Sequence, residues 1–418
     1  MKHLALVVLV FGLFVGCGCG YLFAQATATG TIQGTVTDVS GAVVVGAQVQ
    51  ATQKSTETVR TTITNDSGNF RFELLPASLY EIKITKTGFG TVVQRVELLL
   101  GTTASVNPSL RPGATGEIVE VTAGAPLVDT EKTGVSQSVT PSQVEDLPLV
   151  GRDAANLAYL VPGVKAADSY DPTKNRYAVL AINGSDGRNV NTTVNGIDNK
   201  DNTVGGAVMQ LPLEGVQEFQ ISTQRFSAEN GRSQGAAINM ITKSGTNNYH
   251  GSVFGFFREG ALDTDQKVPD GHGGFVREHP DYSRQFFGGS VGGPFVRDKL
   301  FGFFAIERER ESQAQAVAAQ SYAELVLAQQ AGLAAQPSKT IPRPFYETRY
   351  NGRMDWTINH RNTAYLSYSS QANNSLNDQS DSTMDLSEGN FTLNHLQVAN
   401  ITLTSQLSNT AVNQFTAG

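Results

Sequence analysis

Metal and nucleophile chemistry would have to come from a small set of side chains. None of the six histidines, His3, His250, His272, His279, His360 and His395, has glutamate three residues on. A zinc carboxypeptidase holds its ion with a His-x-x-Glu pair plus a further histidine, so that centre is excluded. His272 and His279 share a stretch with Asp263, Asp265, Asp270 and Asp281, donor types that could bind a metal. In a long polar surface loop such groups are ordinarily solvated, and no metal is expected. Residues 183–202 are crowded with Asn and Asp. Calcium loops alternate oxygen donors around a glycine turn, a spacing that Asp186, Asn189, Asn191, Asn195 and Asp198 do not keep, so Asx turns are expected, with a lining for a ligand path as the alternative. No phosphate-cradling loop is present and no serine nucleophile elbow is expected, so the chain is read as a non-enzyme without cofactors. One extended run could act through its main chain: Glu117-Ile118-Val119-Glu120-Val121-Thr122-Ala123.

Composition limits what can position these residues. The chain has 418 residues, 31 basic and 38 acidic side chains and a net charge of −7. Nucleic-acid binding needs clustered Lys and Arg, so it is not expected. Only 17% of residues are charged, yet 21 are Phe, 12 are Tyr and 42 are Gly, which supports buried cores rather than disorder. Lys2, the apolar run Leu4 to Val15 and Ala24-Gln25-Ala26 follow the order of a secretory signal peptide over 1–26. Retention of Leu4 to Ala24 as a membrane anchor, or lipid attachment at Cys17, are the alternatives. The only cysteines are Cys17 and Cys19, so cleavage would leave no thiol and no disulfide.

From 27 to 112, Thr-, Val- and Ile-rich runs alternate with turn signals such as Asp38-Val39-Ser40-Gly41 and Asn65-Asp66-Ser67-Gly68, which predicts an antiparallel β-sandwich. The runs GTVTDVSGAVVVGAQVQ and TNDSGNFRFELLPASLYEIKITKTGF, with Gly41, Gly68, Pro76 and Gly88, resemble the carboxypeptidase regulatory-like domain. That resemblance implies a transthyretin-like, carbohydrate-binding-like sandwich, serving either to bind a glycan or partner or simply as a spacer. Leu110-Arg111-Pro112-Gly113 reads as a hinge.

Residues 113–246 follow. Glu117 to Ala123 resembles the TonB box of outer-membrane receptors, a periplasmic strand that TonB captures by β-augmentation. Glu120 departs from the usual valine run. DLPLVGRDAANLAYLVPGV, from Asp146 to Val164, predicts a turn and a short helix with Leu157 and Leu160 on one face. AINGSDGRNVNTTVNGIDN and GVQEFQISTQRFSAENGRSQGAAINMITKSG resemble the α+β plug domain of TonB-dependent receptors of the Oar-like type. The plug motif falls on Asn195, Gly196, Asp198, Gly231, Asn239, Thr242 and Lys243; Ala236-Ala237 stands where the family often has glycines. A plug fills a pore yet must move, and small residues at turns permit close packing without a large apolar seam.

From 247 to 418 the strands lengthen. Between Tyr346 and Ile358, Tyr346, Thr348, Tyr350, Gly352, Met354, Trp356 and Ile358 share one face, and Glu347, Arg349, Asn351, Arg353, Asp355 and Thr357 the other. A long strand with one wholly polar face predicts a transmembrane β-strand between lipid and an aqueous lumen. Further strands are expected at Val253 to Arg258, Gln285 to Phe295, Leu300 to Arg308 and Asn362 to Ser369, with a charged loop over Leu262 to Asp281 and a helix over Glu309 to Gln336. A plugged 22-stranded barrel takes about 200–240 residues in its strands alone, at about 9–11 each, so these residues are expected to form an incomplete, truncated barrel.

The expectation is therefore a mainly β chain in four parts: signal (1–26), sandwich (27–112), TonB box and plug (113–246) and barrel strands (247–418). The resemblance implies a receptor in a Gram-negative outer membrane, its sandwich in the periplasm, with TonB, lipid and an unknown small solute, glycan or peptide as partners. A carbohydrate-binding or adhesion protein acting through the sandwich is the alternative.

Overall fold

The computed structural model describes residues 29–113, 118–122, 134–147, 149, 151–167, 179–185, 187–203, 205–224, 226, 230–262, 264–269, 274–278 and 282–418. The expected signal segment, Cys17, Cys19, Glu117, Ala123, Asp186, Asp263, Asp270, His272, His279 and Asp281 lie outside the described residues.

The first unit contains β1 (Gly30–Thr35), β2 (Thr37–Asp38), β3 (Gln48–Gln53), β4 (Val59–Ile63), β5 (Asn69–Leu75), β6 (Ser78–Thr85), β7 (Thr91–Leu98), β8 (Thr103–Ser105), β9 (Ser109–Leu110) and β10 (Ile118–Thr122). A three-stranded sheet, β5-β1-β8, faces a five-stranded sheet, β10-β7-β6-β3-β4. Alternation drives the packing: Tyr80, Ile82 and Ile84 point inward from β6 and meet Ile32, Phe70 and Phe72 from the opposite sheet. The sandwich is mixed rather than wholly antiparallel, because β8 and β10 join their neighbours β1 and β7 in parallel. Gly34 marks a close backbone approach, since a Cβ there would lie 1.7 Å from the Val106 carbonyl oxygen.

The central unit contains β11 (Val135–Val139), β12 (Val164–Ala166), β13 (Leu180–Ile182), β14 (Val190–Val194), β15 (Ile197–Asp198), β16 (Val216–Gln224) and β17 (Ala236–Thr242). Its main sheet runs β11-β16-β17-β14-β15, and β14 and β17 are buried along their whole length. Strands buried on both faces read as continuous runs, without polar alternation. A short helix, Pro141–Asp146, absent from the sequence expectation, is held by a capping box between Thr140 and Gln143. The expected helix near Leu157 is a 3₁₀ helix, Ala154–Leu160. Leu157 is buried, but Leu160 is 47% exposed, because Val161 just past the helix end takes the inward place.

The third unit contains β18 (His250–Glu259), β19 (Gln266–Pro269), β20 (Phe275–Glu278), β21 (Tyr282–Val296), β22 (Leu300–Ala316), β23 (Thr340–Pro342), β24 (Phe345–Asn359), β25 (Asn362–Leu376), β26 (Phe391–Gln406) and β27 (Val412–Ala417). The antiparallel order β18-β21-β22-β24-β25-β26-β27 makes an open wall with β18 and β27 at its edges, and β23 branches from β22. The principal strands have 15 to 17 residues, more than the roughly 9–11 needed to cross a bilayer. On β24 the polar residues Glu347, Arg349 and Asn351 are buried, while Tyr346, Met354, Trp356 and Ile358 are exposed. This inverts a water-soluble sheet and puts lipid on the outer face. Among the described residues no helix is long and apolar enough to cross a membrane.

Two expectations for this unit are corrected. Residues 309–316 continue β22, because Glu309 and Glu311 find arginine partners on the wall's inner face, and the helix is confined to Ala319–Gln330. The expected loop 262–281 contains a hairpin, β19 paired with β20.

Candidate functional site

The central unit rests against the inner face of the wall through polar side chains. Arg152 has φ of 49°, and its guanidinium stacks on Phe254 at 3.9 Å from the ring centroid. Its Nε donates to Glu307 Oε2 at 2.8 Å and its Nη2 to Glu214 Oε1 at 3.2 Å. The network continues along the wall. Arg349 reaches Glu307 at 3.3 Å and Glu309 at 3.5 Å and pairs with Glu347; Arg284 reaches Glu309 at 2.6 Å and Glu311 at 3.3 Å. The Gln210 backbone N–H donates to Gln371 Oε1 at 2.8 Å, and its amide donates to Asp153 Oδ2 at 2.9 Å. Buried charges persist only where paired and hydrogen-bonded, and this seam meets both conditions.

A second node is built on a hairpin turn. Asn195 and Gly196, with φ of 51° and 82°, join β14 to β15. Two successive residues at positive φ define the type I′ turn that Asn-Gly favours. Asn195 Nδ2 donates to Thr242 Oγ1 and to Ser367 Oγ on the wall, both at 3.0 Å, and its Oδ1 accepts from the Thr242 N–H at 3.0 Å. Arg353 Nη1 donates to the Thr242 carbonyl at 3.1 Å while its guanidinium lies 4.2 Å from the Tyr365 ring. Asn239 accepts from Thr193 Oγ1 at 2.9 Å within the sheet. Asn195 and Thr242 thus come together, whereas Asn239 bonds to Thr193 on the other face of the same strand. Asp198 instead pairs with Arg232 at 2.5 Å, while Lys243, next to Thr242, pairs with Glu145 at 2.6 Å. Gly231 lies in the segment before β17 and joins neither group.

A third contact joins the sandwich to the central sheet. Glu218 on β16 is 1% exposed and accepts from the Leu100 N–H at 2.8 Å, while Ser138 Oγ donates to the Leu100 carbonyl at 3.3 Å. Burial pushes the Glu218 carboxyl up to about 7, against the opposing pull of hydrogen bonds from Leu100 and Ser138; Glu97 raises it further. A cavity of about 860 Å³ opens between all three units, bordered by Arg60, Asn195, Lys243, Arg353 and Trp356.

The 118–122 segment is β10 itself. It pairs in parallel with β7, Ile118 opposite Thr91 through Thr122 opposite Arg95. Gly288-Gly289-Ser290-Val291-Gly292 matches the Gly-x-Ser-x-Gly string of a hydrolase elbow, contrary to the expectation that none would occur. It lies inside β21, and Ser290 Oγ sits 3.0 Å from Ser252 Oγ, so the strand-to-helix turn that makes the string an elbow is missing. Among the described residues no cluster of three His, Cys, Asp or Glu could hold a metal.

Sequence reasoning missed Arg152, Glu214 and Glu307. Alternate acids at Glu307, Glu309 and Glu311 on a strand whose start is aromatic were the available signal.

Residues 31–111 match the carboxypeptidase regulatory-like domain, and residues 241–344 match the outer membrane beta barrel domain. The TonB-dependent transporter Oar of Myxococcus xanthus is 31% identical over 314 residues, which are 72% of this chain and 29% of that protein. The chain is a homologue of the Oar TonB-dependent transporter. This Oar-like chain spans less than a third of its relative's length. The outer membrane transporter YddB from Escherichia coli shares the fold, with a TM-score of 0.50 and 13% identity over 65% of this chain and 37% of its own. The siderophore receptor PirA from Acinetobacter baumannii superposes over 69% of this chain and 40% of its own, with 16% identity and a TM-score of 0.46. The barrel domain and the Oar homology place the chain in the outer membrane of a Gram-negative bacterium. The Oar and YddB proteins are both transporters.

Proposed function

We propose that the chain carries the TonB-docking strand, the plug and the first wall strands of a receptor that binds an external solute and imports it when TonB pulls on Glu117 to Ala123. The observation that carries this reading is the plug–wall seam, in which Arg152 of the plug is held by Glu307 of the wall and lies over the Phe254 ring, with few apolar contacts beside it. A largely polar seam can exchange its hydrogen bonds for water, so force on the plug can shift it while exposing only a small apolar area. The plug-motif residues Asn195 and Thr242 are proposed to hold the plug's inner edge against the wall until that force arrives. The sandwich lies on the periplasmic side in this reading.

The test is binding of a 110–130 peptide to the TonB C-terminal domain, with solute uptake by cells whose receptor lacks residues 117–123. Absence of peptide binding, together with uptake unaffected by the deletion, would sink the mechanism. Carbohydrate binding by the sandwich would call for an exposed aromatic platform. The exposed large apolar side chains of its described residues, Val39, Val43, Val45, Ile63 and Leu79, are all aliphatic, so no observation favours that alternative.

A further inference from the structure

The TonB-box segment is not free of the sandwich. Residues 118–122 form the end strand of the five-stranded sheet and cover the edge of β7 over five consecutive partners, Thr91 to Arg95. An edge strand otherwise presents a row of unpaired N–H and C=O groups that recruits another strand. Here the chain supplies that strand from its own sequence, after Arg111 and Gly113 have bonded to Gly90 and Gly88 of the sandwich.

We propose that β7 of the sandwich is a latch for the TonB box: the box leaves β7 before TonB takes it up. This rests on the TonB-box reading of residues 117–123. β-Augmentation recognises an extended strand through its main-chain groups, and pairing with β7 commits part of the same five residues to another ladder. A binding-competent state that is only fractionally populated lowers apparent affinity by that fraction, so the latch tunes TonB engagement without contacting solute.

The register makes this testable, because Gln94 and Val121 are direct partners. Paired residues on neighbouring strands lie within the Cα separation that a disulfide bridges, about 4.4–6.8 Å. The full chain carrying Gln94→Cys and Val121→Cys should cross-link on mild oxidation, whereas each single variant, and Glu97→Cys with Val121→Cys, should not. Oxidised double variant should bind the TonB C-terminal domain at least tenfold more weakly than the reduced form, with reductant restoring affinity. If the 110–130 peptide binds TonB but the pair does not cross-link, or the cross-linked chain binds as tightly as the reduced one or more tightly, the latch is overturned while the TonB-box reading stands. If the peptide itself fails to bind, both fall together.

Discussion

The plug buries two opposite kinds of surface. Toward its own helices it packs Phe219, Ile221, Val216 and Leu157 in an apolar core. Toward the wall it sets Arg152, Asn195 and Gln210 against Glu307, Ser367 and Gln371. The first surface keeps the plug folded as a body. The second holds that body in place by bonds that water can replace, so a plug can be both rigid and displaceable.

The largest effect should come from the core. Phe219→Ala should destabilise the plug by about 3–5 kcal/mol, measured by denaturant unfolding of the membrane-embedded chain. Arg152→Met attacks the seam instead. Breaking a buried pair outright costs about 3–5 kcal/mol, but Arg349 remains 3.3 Å from Glu307, so a loss of about 2–3 kcal/mol is expected. Adding Glu307→Gln to Arg152→Met should recover part of that loss, whereas no polar change on the wall should rescue Phe219→Ala. Equal rescue of both variants would erase the distinction between the two surfaces.

Asn195→Ala removes bonds to Thr242 and Ser367 and places alanine at positive φ, which should cost about 1–3 kcal/mol and raise proteolysis at the β14–β15 turn. The sandwich contact adds a pH dependence. Glu218 has a folded value near 7, above the ordinary 4.5, so protonation favours the docked state. Its contribution is full below the ordinary carboxylate value and is lost as pH rises through about 7. Exchange protection of the Leu100 amide should fall over that range and become flat in Glu218→Gln. The smallest effect is expected for Thr140→Ala, about 0.5–1 kcal/mol, seen as fraying of the Pro141–Asp146 helix.

Much of this fold was legible along the chain. The sandwich strands expected from Thr-, Val- and Ile-rich runs between turn signals are present, β1 and β3 to β7 among them, because turn glycines and Asx residues punctuate a period of two. β24 was readable for the same reason, its two faces differing at every step from Tyr346 to Ile358. The extension of β22 to Ala316 was not. Residues 309–316 are charged and alanine- and glutamine-rich, a composition that favours helix locally, and only neighbouring strands carrying Arg284 and Arg349 make extension favourable. Of the site, the Asn195-Gly196 turn was visible as a motif, but its bonds to the wall were not.

The period of each segment, the turns between them and the polar face of each wall strand are written along the chain, because these depend on neighbours a few residues away. That Arg152 meets Glu307, 155 positions distant, that Glu218 closes on Leu100, and that residues 118–122 lie along β7 follows from the packing of the units. An isolated arginine or a bare β-branched run is compatible with many partners. The choice among them is made by the desolvation of buried charge and the pairing of open strand edges, which exist only once the three units have come together.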